Sequence, residues 1–324
     1  MNKDTQTCSV PTELQGKRID IVLAQLFPQF SRSQLSQWLK QGIIQVNQKN
    51  IKSKDKMQGG ETISYPEPWP NYYEDNQLDQ PEDIPLSIVY EDPYILIINK
   101  PRNLVVHPGA GNREHTLVNA LLHHYPCLGS LPRAGIIHRI DKDTTGLLLI
   151  AKDLPSYNFL SQQMQQRAIH RHYIALVAGD IIAGGTIDTF FGRHSHNRLK
   201  MAVKDAGKSA ITHYRVTKHY QGFFTLLDIS LETGRTHQIR VHMAHIEHPI
   251  IGDPLYGKRP KLPKDIPQDL CDTIINFRYQ ALHAAKLTLM HPTHHEILTF
   301  TADMPDDLQY LLHSLDNYFA IPPT

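Results

Sequence analysis

Cysteine is scarce in this sequence. Cys8, Cys127 and Cys271 are the only three in 324 residues, and no two of them form a CxxC pair. That excludes a disulfide framework, and a reducing, cytoplasmic setting fits best. Long apolar runs are also missing. None approaches the roughly 18 residues of a membrane span, and the longest, 95–98 and 147–150, have the length of buried strands. The first 20 residues are polar and lack the apolar segment of a secretory signal, so no membrane partner is expected. There is no repeat of fixed period. No G-x-G-x-x-G, no GxxxxGK[ST] and no G-x-S-x-G is present. The chemistry is therefore expected to need neither a nucleotide cofactor nor a metal.

An excess of either charge is missing too. The net charge is +1, which by itself gives no sign of a nucleic-acid partner. The distribution is uneven, however. Residues 1–64 carry a net +4, residues 99–324 a net +5, and residues 65–98 contain eight Asp and Glu with no Lys or Arg at all. Two mildly basic blocks thus flank an acidic connector, and an anionic partner is no longer disfavoured.

What is present is an ordinary core-forming composition, 40% hydrophobic and 20% charged, at a length that suits two domains. In residues 1–65, Ile19, Val22, Leu23, Leu26 and Phe27 recur at helical spacing, and Pro28 ends that helix. Ser31 with Gln34 three residues on suggests a capping box. Leu35, Trp38 and Leu39 give a second helix its apolar stripe, with Gly42 as its C-terminal cap. Strands are expected at 43–46 and 61–65, with a turn at Gly59-Gly60. Residues 66–84, rich in proline and acid, are expected to form an extended, poorly packing linker. From residue 85 onward, strands at 86–90, 94–99, 146–151, 173–177, 213–216 and 224–231 alternate with helices at 116–123, 155–167, 236–245 and 306–316. The pattern predicts one α+β domain, 85–324, on a largely antiparallel sheet with flanking helices.

Three stretches could carry chemistry. The first is HRIDKDTTG at 138–146, a charged loop feeding a buried strand. Asp141 admits three readings. It could be a turn carboxylate capping local N–H groups. It could open a calcium loop, because Asp143 and Gly146 follow at the right offsets, but the twelfth position is Lys152 and not the required Glu, so this fails. It could be a catalytic carboxylate beside the cations Arg139 and Lys142. The second stretch runs from Gly234 to His245. Thr236 is expected to cap a helix whose buried stripe is Ile239, Met243 and Ile246, leaving Arg240 on another face. A helix N-terminus with Arg235 and Arg240 makes a positive pocket for phosphate or carboxylate; an ordinary amphipathic helix with solvated arginines explains the pattern equally well. The third is the cationic run Arg193, Arg198, Lys200 and Lys204, in a window, 167–218, with nine Lys and Arg against three Asp and Glu. A phosphate-contacting loop is favoured there over a solvated face. Tyr173 begins an expected strand and is either core or a stacking platform for a base. His242, His245 and His248 lack HExxH and acidic ligands, so a metal site is not expected.

The 138–146 block resembles the hallmark HRLDxxTSG of the RluA-type pseudouridine synthases, with Ile140 and Thr145 as conservative departures. Further blocks follow in the family's order. They are Asn99-Lys100-Pro101, Val106 to Gly109, Arg133 to Gly135, Tyr173 in its strand, Glu232 to His242, Gly252-Asp253-Pro254 with Tyr256-Gly257, and Leu282-His283-Ala284. Residues 17–65 resemble the small alpha-L RNA-binding domain of ribosomal proteins, of the S-four type. The resemblance implies the pseudouridine synthase fold behind that small domain, and a cofactor-free isomerisation of uridine to its C-glycoside. It also implies a target base flipped out of its stack. By resemblance Asp141 is the catalytic carboxylate, as nucleophile or as general base on the ribose, and Arg240 is the cation beside it. Tyr173 would stack on the uracil, Leu282 form part of an apolar floor, and Arg139 fill the gap left by the base. Arg235, Arg193, Arg198 and Lys200, with Arg32 and Lys40 of the small domain, would contact RNA. Within the family the likeness is greatest to the large-subunit rRNA enzyme. That implies 23S rRNA, in its helix 69 stem-loop, free or in an assembling large subunit, as the partner of a monomer. Two other classes stay open at this stage: a non-enzymatic ribosome-assembly factor and a metal-dependent hydrolase.

Overall fold

The computed structural model describes residues 4–28, 30, 32–67, 69, 80–109, 112, 114–197 and 199–320. The chain divides into two compact units, residues 1–78 with 129–132, and residues 79–128 with 133–324.

The smaller unit contains β1 (Asp4–Ser9), α1 (Ile19–Leu26), α2 (Arg32–Lys40), β2 (Gln45–Val46) and β3 (Thr62–Glu67), with the strands in the antiparallel order β1-β3-β2. The helical spacing of apolar residues places Ile19, Val22 and Leu23 of α1 against Leu35, Trp38 and Leu39 of α2, and all six are buried. Gly42, at φ 75°, lets the chain reverse after α2, and the N–H of Ile43 closes the helix end on the Trp38 carbonyl at 2.9 Å. The expected cap, Ser31, lies outside the described residues. Trp69 corrects the picture of a poorly packing connector. It stacks on Tyr65 at 4.9 Å and Trp38 at 5.1 Å and closes the small core, because burying an indole outweighs the extended bias of its proline neighbours.

The larger unit runs β4 (Ile88–Glu91), β5 (Ile95–Lys100), α3 (Leu117–His124), β6 (Thr145–Ala151), α4 (Leu154–Gln165), β7 (His170–Ala178), β8 (Gly185–Arg193), β9 (Met201–Lys204), β10 (Lys208–Tyr220), β11 (Phe224–Leu231), α5 (Gln238–His245), α6 (Gln268–Asn276), β12 (Leu282–Met290), β13 (Ile297–Thr301) and α7 (Asp306–Phe319). One sheet takes the order β4-β5-β6-β12-β7-β11-β10-β8-β9, with β13 pairing β12. Every pairing is antiparallel except that of β12 with β6. This parallel contact spans only His283 with Thr145 and Ala284 with Gly146. A Cβ on Gly146 would lie 2.3 Å from the Ala284 carbonyl oxygen, so only glycine permits the approach. β6, apolar at five consecutive positions, is buried along its whole length and anchors the middle of the sheet.

The end of the expected linker also packs. The Asn119 side chain donates to the Gln80 carbonyl at 2.6 Å, and the Glu82 N–H donates to the Asn119 carbonyl at 3.0 Å. The capping box of α3, Thr116 with Asn119, thereby holds the segment. Strands β1, β8, β9, β12 and β13 and helix α6 were not expected from periodicity, because polar residues interrupt their apolar pattern.

Candidate active site

The loop 138–144 delivers Asp141 to the end of β6. Three supports fix it. Lys100 is fully buried beneath it and donates from Nζ to the carbonyls of Pro101 at 2.6 Å and Lys142 at 2.8 Å. Burial lowers the Lys100 ammonium to about 7, against the opposing pull of Asp143 and Asp141. The Gln280 side chain donates to Thr144 Oγ1 at 3.0 Å, and Thr145 Oγ1 bonds His283 Nδ1 at 2.8 Å.

Arg240 reaches Asp141 from α5. Its Nη1 donates to Asp141 Oδ2 at 3.0 Å, while Nε and Nη2 form a fork with Asp253 at 2.7 and 2.8 Å. The guanidinium is 5% exposed and the Asp253 carboxylate wholly buried. Burial works against the arginine's charge, but the two carboxylates outweigh it and raise its proton affinity further. Burial likewise opposes the Asp253 charge. Arg240 and the N–H groups of Tyr256 and Leu255 still hold that carboxyl below its usual range. Asp253 therefore aims the cation at Asp141. The sequence offered Asp253 only as a block marker; the turn Gly252-Asp253-Pro254 was the signal for a fixed carboxylate.

The start of α5 differs from expectation. Thr236 does not cap the helix; His237 occupies that position in left-handed conformation, φ 59°, with no side-chain cap. The Gln238 side chain takes over the loop, accepting from Thr233 Oγ1 and the Arg235 N–H and donating to Ile211 O and Thr212 Oγ1 at 2.8–3.0 Å. Of the two anions expected at Arg240, phosphate or carboxylate, the structure has carboxylate. Arg240 is spent on two carboxylates and is not free for a phosphate, and Arg235, exposed, donates from Nε to the Ser209 carbonyl at 3.1 Å.

Tyr173, in the middle of β7 and not at its start, is buried. Burial raises its hydroxyl's pKa, Arg171 opposes this and Asp141 adds to it. Its cross-strand neighbour on β12 is Ala284, which brings Leu282 alongside. Asp141, Tyr173, Arg240, Arg139, Arg235 and Leu282 line one cleft. Six of the sequence-predicted residues thus converge. Arg193 ends β8 and Lys200 precedes β9, outside that lining. The β8–β9 arm is nonetheless tethered to the cleft. Tyr256 accepts from the Met201 N–H at 2.8 Å, stacks 5.3 Å from the Arg240 guanidinium, and bonds His237 at 2.9 Å. Lys200 Nζ lies 5.7 Å from the same ring. Arg198 lies outside the described residues.

In the smaller unit Lys40 is exposed at the last turn of α2. Arg32 is paired within the unit. It donates to Asp20 at 2.7 Å, a carboxylate 6% exposed that Arg18 also contacts at 2.7 Å. Burial disfavours that carboxylate's charge, yet the two arginines outweigh it and hold Asp20 below its usual range.

The histidines His242, His245 and His248 do not converge. His242 is buried between Thr212 and Thr189 hydroxyls at 2.9 and 3.0 Å, and His248 bonds the Ala178 carbonyl at 2.8 Å. Among the described residues Asp83, His123 and His124 do place ligand atoms within 4.8 Å of one another, but all three are exposed and His124 Nε2 is already on the Ile84 carbonyl at 2.9 Å. No described helix is long and apolar enough to cross a membrane.

Comparison with known proteins gives the family. Residues 94–245 match the RNA pseudouridylate synthase family, and residues 17–63 match the S4 domain. The ribosomal large subunit pseudouridine synthase D of Haemophilus influenzae is 47% identical over 317 residues, 97% of this chain and 96% of that protein. Its namesakes in Xanthomonas campestris and Escherichia coli K12 are 47% identical over 306 and 307 residues, each 94% of this chain and 91% and 93% of theirs. Among solved structures, human RNA pseudouridylate synthase domain containing 4 shares the fold, with a TM-score of 0.55 at 24% identity over 71% of this chain and 92% of its own. Human RNA pseudouridylate synthase domain containing 1 superposes with a TM-score of 0.53 at 25% identity, over 75% and 97%. With an S4 domain ahead of a pseudouridine synthase fold, the chain belongs to the RluA-type RNA pseudouridine synthases, isomerases of uridine in RNA.

Proposed function

We propose that this chain isomerises uridines of 23S rRNA in the large ribosomal subunit, in the helix 69 stem-loop, in the cytoplasm and without a cofactor. The observation that carries the reading is a single one. Asp141 is held by a buried arginine in a cleft lined by Tyr173, Leu282 and Arg139, in a chain that is alike over nine-tenths of its length to proteins named for the large subunit.

In this reading residues 1–65 are the RNA-binding domain, 66–84 the connector and 85–324 the catalytic domain. The flipped uridine enters the cleft, its ribose toward Asp141. The carboxylate attacks C1′ or removes a ribose proton, and Arg240 holds it in place from Nη1 at 3.0 Å. Tyr173 stacks on the uracil, Leu282 floors the cleft, and Arg139 fills the vacated stack with a planar cation. Arg235, Arg193, Arg198, Lys200 and Lys40 meet phosphates, with Arg32 contributing what Asp20 leaves of its charge.

Release of tritium from uridine labelled at C5, in a helix 69 transcript and in assembled large subunits, tests this. Release from the stem-loop is expected, with a loss of about a thousandfold or more in Asp141→Asn. Wild-type release by that variant would remove Asp141 from the chemistry, and release from an unrelated stem-loop at the same rate would remove the target.

A further inference from the structure

We propose that Arg171 is the counter-cation for the anion left on the uracil ring when the bond between base and ribose breaks. The inference rests on the isomerase reading of the cleft and adds to it a residue that the sequence blocks did not single out.

Arg171 lies on β7 two residues before Tyr173, so both side chains leave the same face of the strand. It lines the cleft with Asp141, Tyr173 and Gln238. The residue is 7% exposed, and its Nε is buried with no hydrogen-bond partner. Among the described residues no carboxylate pairs with its guanidinium, in contrast to Arg240 with its two. A desolvated cation without a counter-charge is costly, and the site is completed when a ligand brings one. The field of this cation is felt nearby: burial first, and Arg171 second, lower His138 to about 3 and keep it neutral. Glycine at 234 keeps the guanidinium's place open, since a Cβ there would lie 2.7 Å from Arg171 Nη1.

Depth selects the anion. A phosphate stays on the strand outside the cleft, whereas the flipped base is the part of the substrate that enters. When C1′–N1 breaks, its electron pair leaves with the uracil and spreads over N1, O2 and O4. The ribose deficit is met at the Asp141 carboxylate, by a bond to C1′ or by transfer of a ribose proton. After the ring turns, C5 bonds to C1′ while the Asp141–C1′ bond breaks and its electron pair returns to the carboxylate, or while Asp141 returns the ribose proton; the C5 proton then leaves to a base and N1 takes up a proton, so atoms and electrons balance. The N1–C2–O2 edge of the uracil anion offers two in-plane acceptors, as a carboxylate does, and a guanidinium fork fits such an edge.

The test uses the full chain and a helix 69 stem-loop under single-turnover conditions. Arg171→Met is expected to slow isomerisation of saturating RNA by about a hundredfold, the usual cost of one preorganised donor to a developing charge. Its dissociation constant at matched salt should stay within about twofold, with the salt slope unchanged. Replacing the target by 5-fluorouridine, whose anion is more stable, should shrink the deficit in consumption of the target nucleoside. Gly234→Ala, which crowds Nη1 from an exposed loop, gives a second variant should Arg171→Met fail to melt like the wild type. An unchanged rate in both variants overturns the role. So does a deficit equal for the two nucleosides, or a loss confined to affinity and salt slope, which would make Arg171 a phosphate contact. A wild-type chain that isomerises no uridine overturns the isomerase reading and this role with it; an active wild type with unaffected variants overturns this role alone.

Discussion

The two units each bury one shared charge, in opposite senses. In the smaller unit one carboxylate, Asp20, is shared by two arginines whose side chains stay about 40–50% exposed. In the larger, one arginine, Arg240, is shared by two carboxylates, and only Asp141 opens to the cleft. The first arrangement leaves a surplus positive charge facing solvent, where a phosphate backbone can meet it. The second leaves a surplus negative charge on the carboxylate that lines the cleft. The same ionic device thus leaves opposite charges in surplus in the two units, exposed in one and largely buried in the other.

The units differ as sharply in histidine. All 20 lie at residue 107 or beyond, and residues 1–78 contain none. Burial foremost lowers His107 to about 4, His242 to about 4 and His138 to about 3, from an ordinary 6.5. Between those values and 6.5 the unfolded chain binds protons that the folded chain does not, so stability falls as pH falls through that window. Each group contributes up to about 1.4 kcal/mol per pH unit. Asp20, with its lowered value, withholds its loss until pH drops below the ordinary carboxylate value of 3.8. The largest expected effect is therefore an acid split. At pH 4.5 the larger unit should melt well before the smaller. Both tryptophans, Trp38 and Trp69, belong to the smaller unit, so their fluorescence follows it alone while far-ultraviolet dichroism follows the whole. Coincident transitions at pH 4.5 would break the comparison.

Next in size is Arg240→Met, which strands the buried Asp253. It should destabilise the larger unit by about 3–5 kcal/mol, read as a lower urea midpoint in dichroism with the tryptophan transition unmoved. A smaller effect is expected from Asp20→Asn. The arginines it frees are already half in water, so the loss should be about 1 kcal/mol, and RNA affinity should rise as charge is released. A fall in affinity would show that Asp20 orients the arginines for RNA. The smallest is Lys40→Ala, expected to cost under about 1 kcal/mol of RNA binding and to reduce the salt slope by about one, with the isomerisation rate at saturating RNA unchanged.

Local patterns were legible in the sequence where one residue type dominated. The apolar run 147–150 announced β6, and the spacing of Ile19, Val22 and Leu23 announced α1. The loop before β6 announced Asp141. By contrast, β12 mixes Ala, Lys and His with its leucines and has no clean period of two, yet it lies between β6 and β7 in the middle of the sheet. The partners of Arg240 lie 99 and 13 residues away, and no local pattern carries such distances. Arg171 escaped notice for a related reason. A cation in a basic window looks like any other until its burial and missing partner are seen. The connector misled through composition, since one tryptophan among prolines suffices to dock it.

The parallel contact between β6 and β12 also sets a timetable. The loop bearing Asp141 is braced by Gln280 and His283, which follow it by more than 130 residues. During synthesis the Asp141 carboxylate emerges long before the strand that fixes it. The larger unit's site is therefore assembled late, as a long-range closure, while the smaller unit, complete within its first 78 residues apart from residues 129–132, is free to fold, and to find RNA, while the rest is still being made.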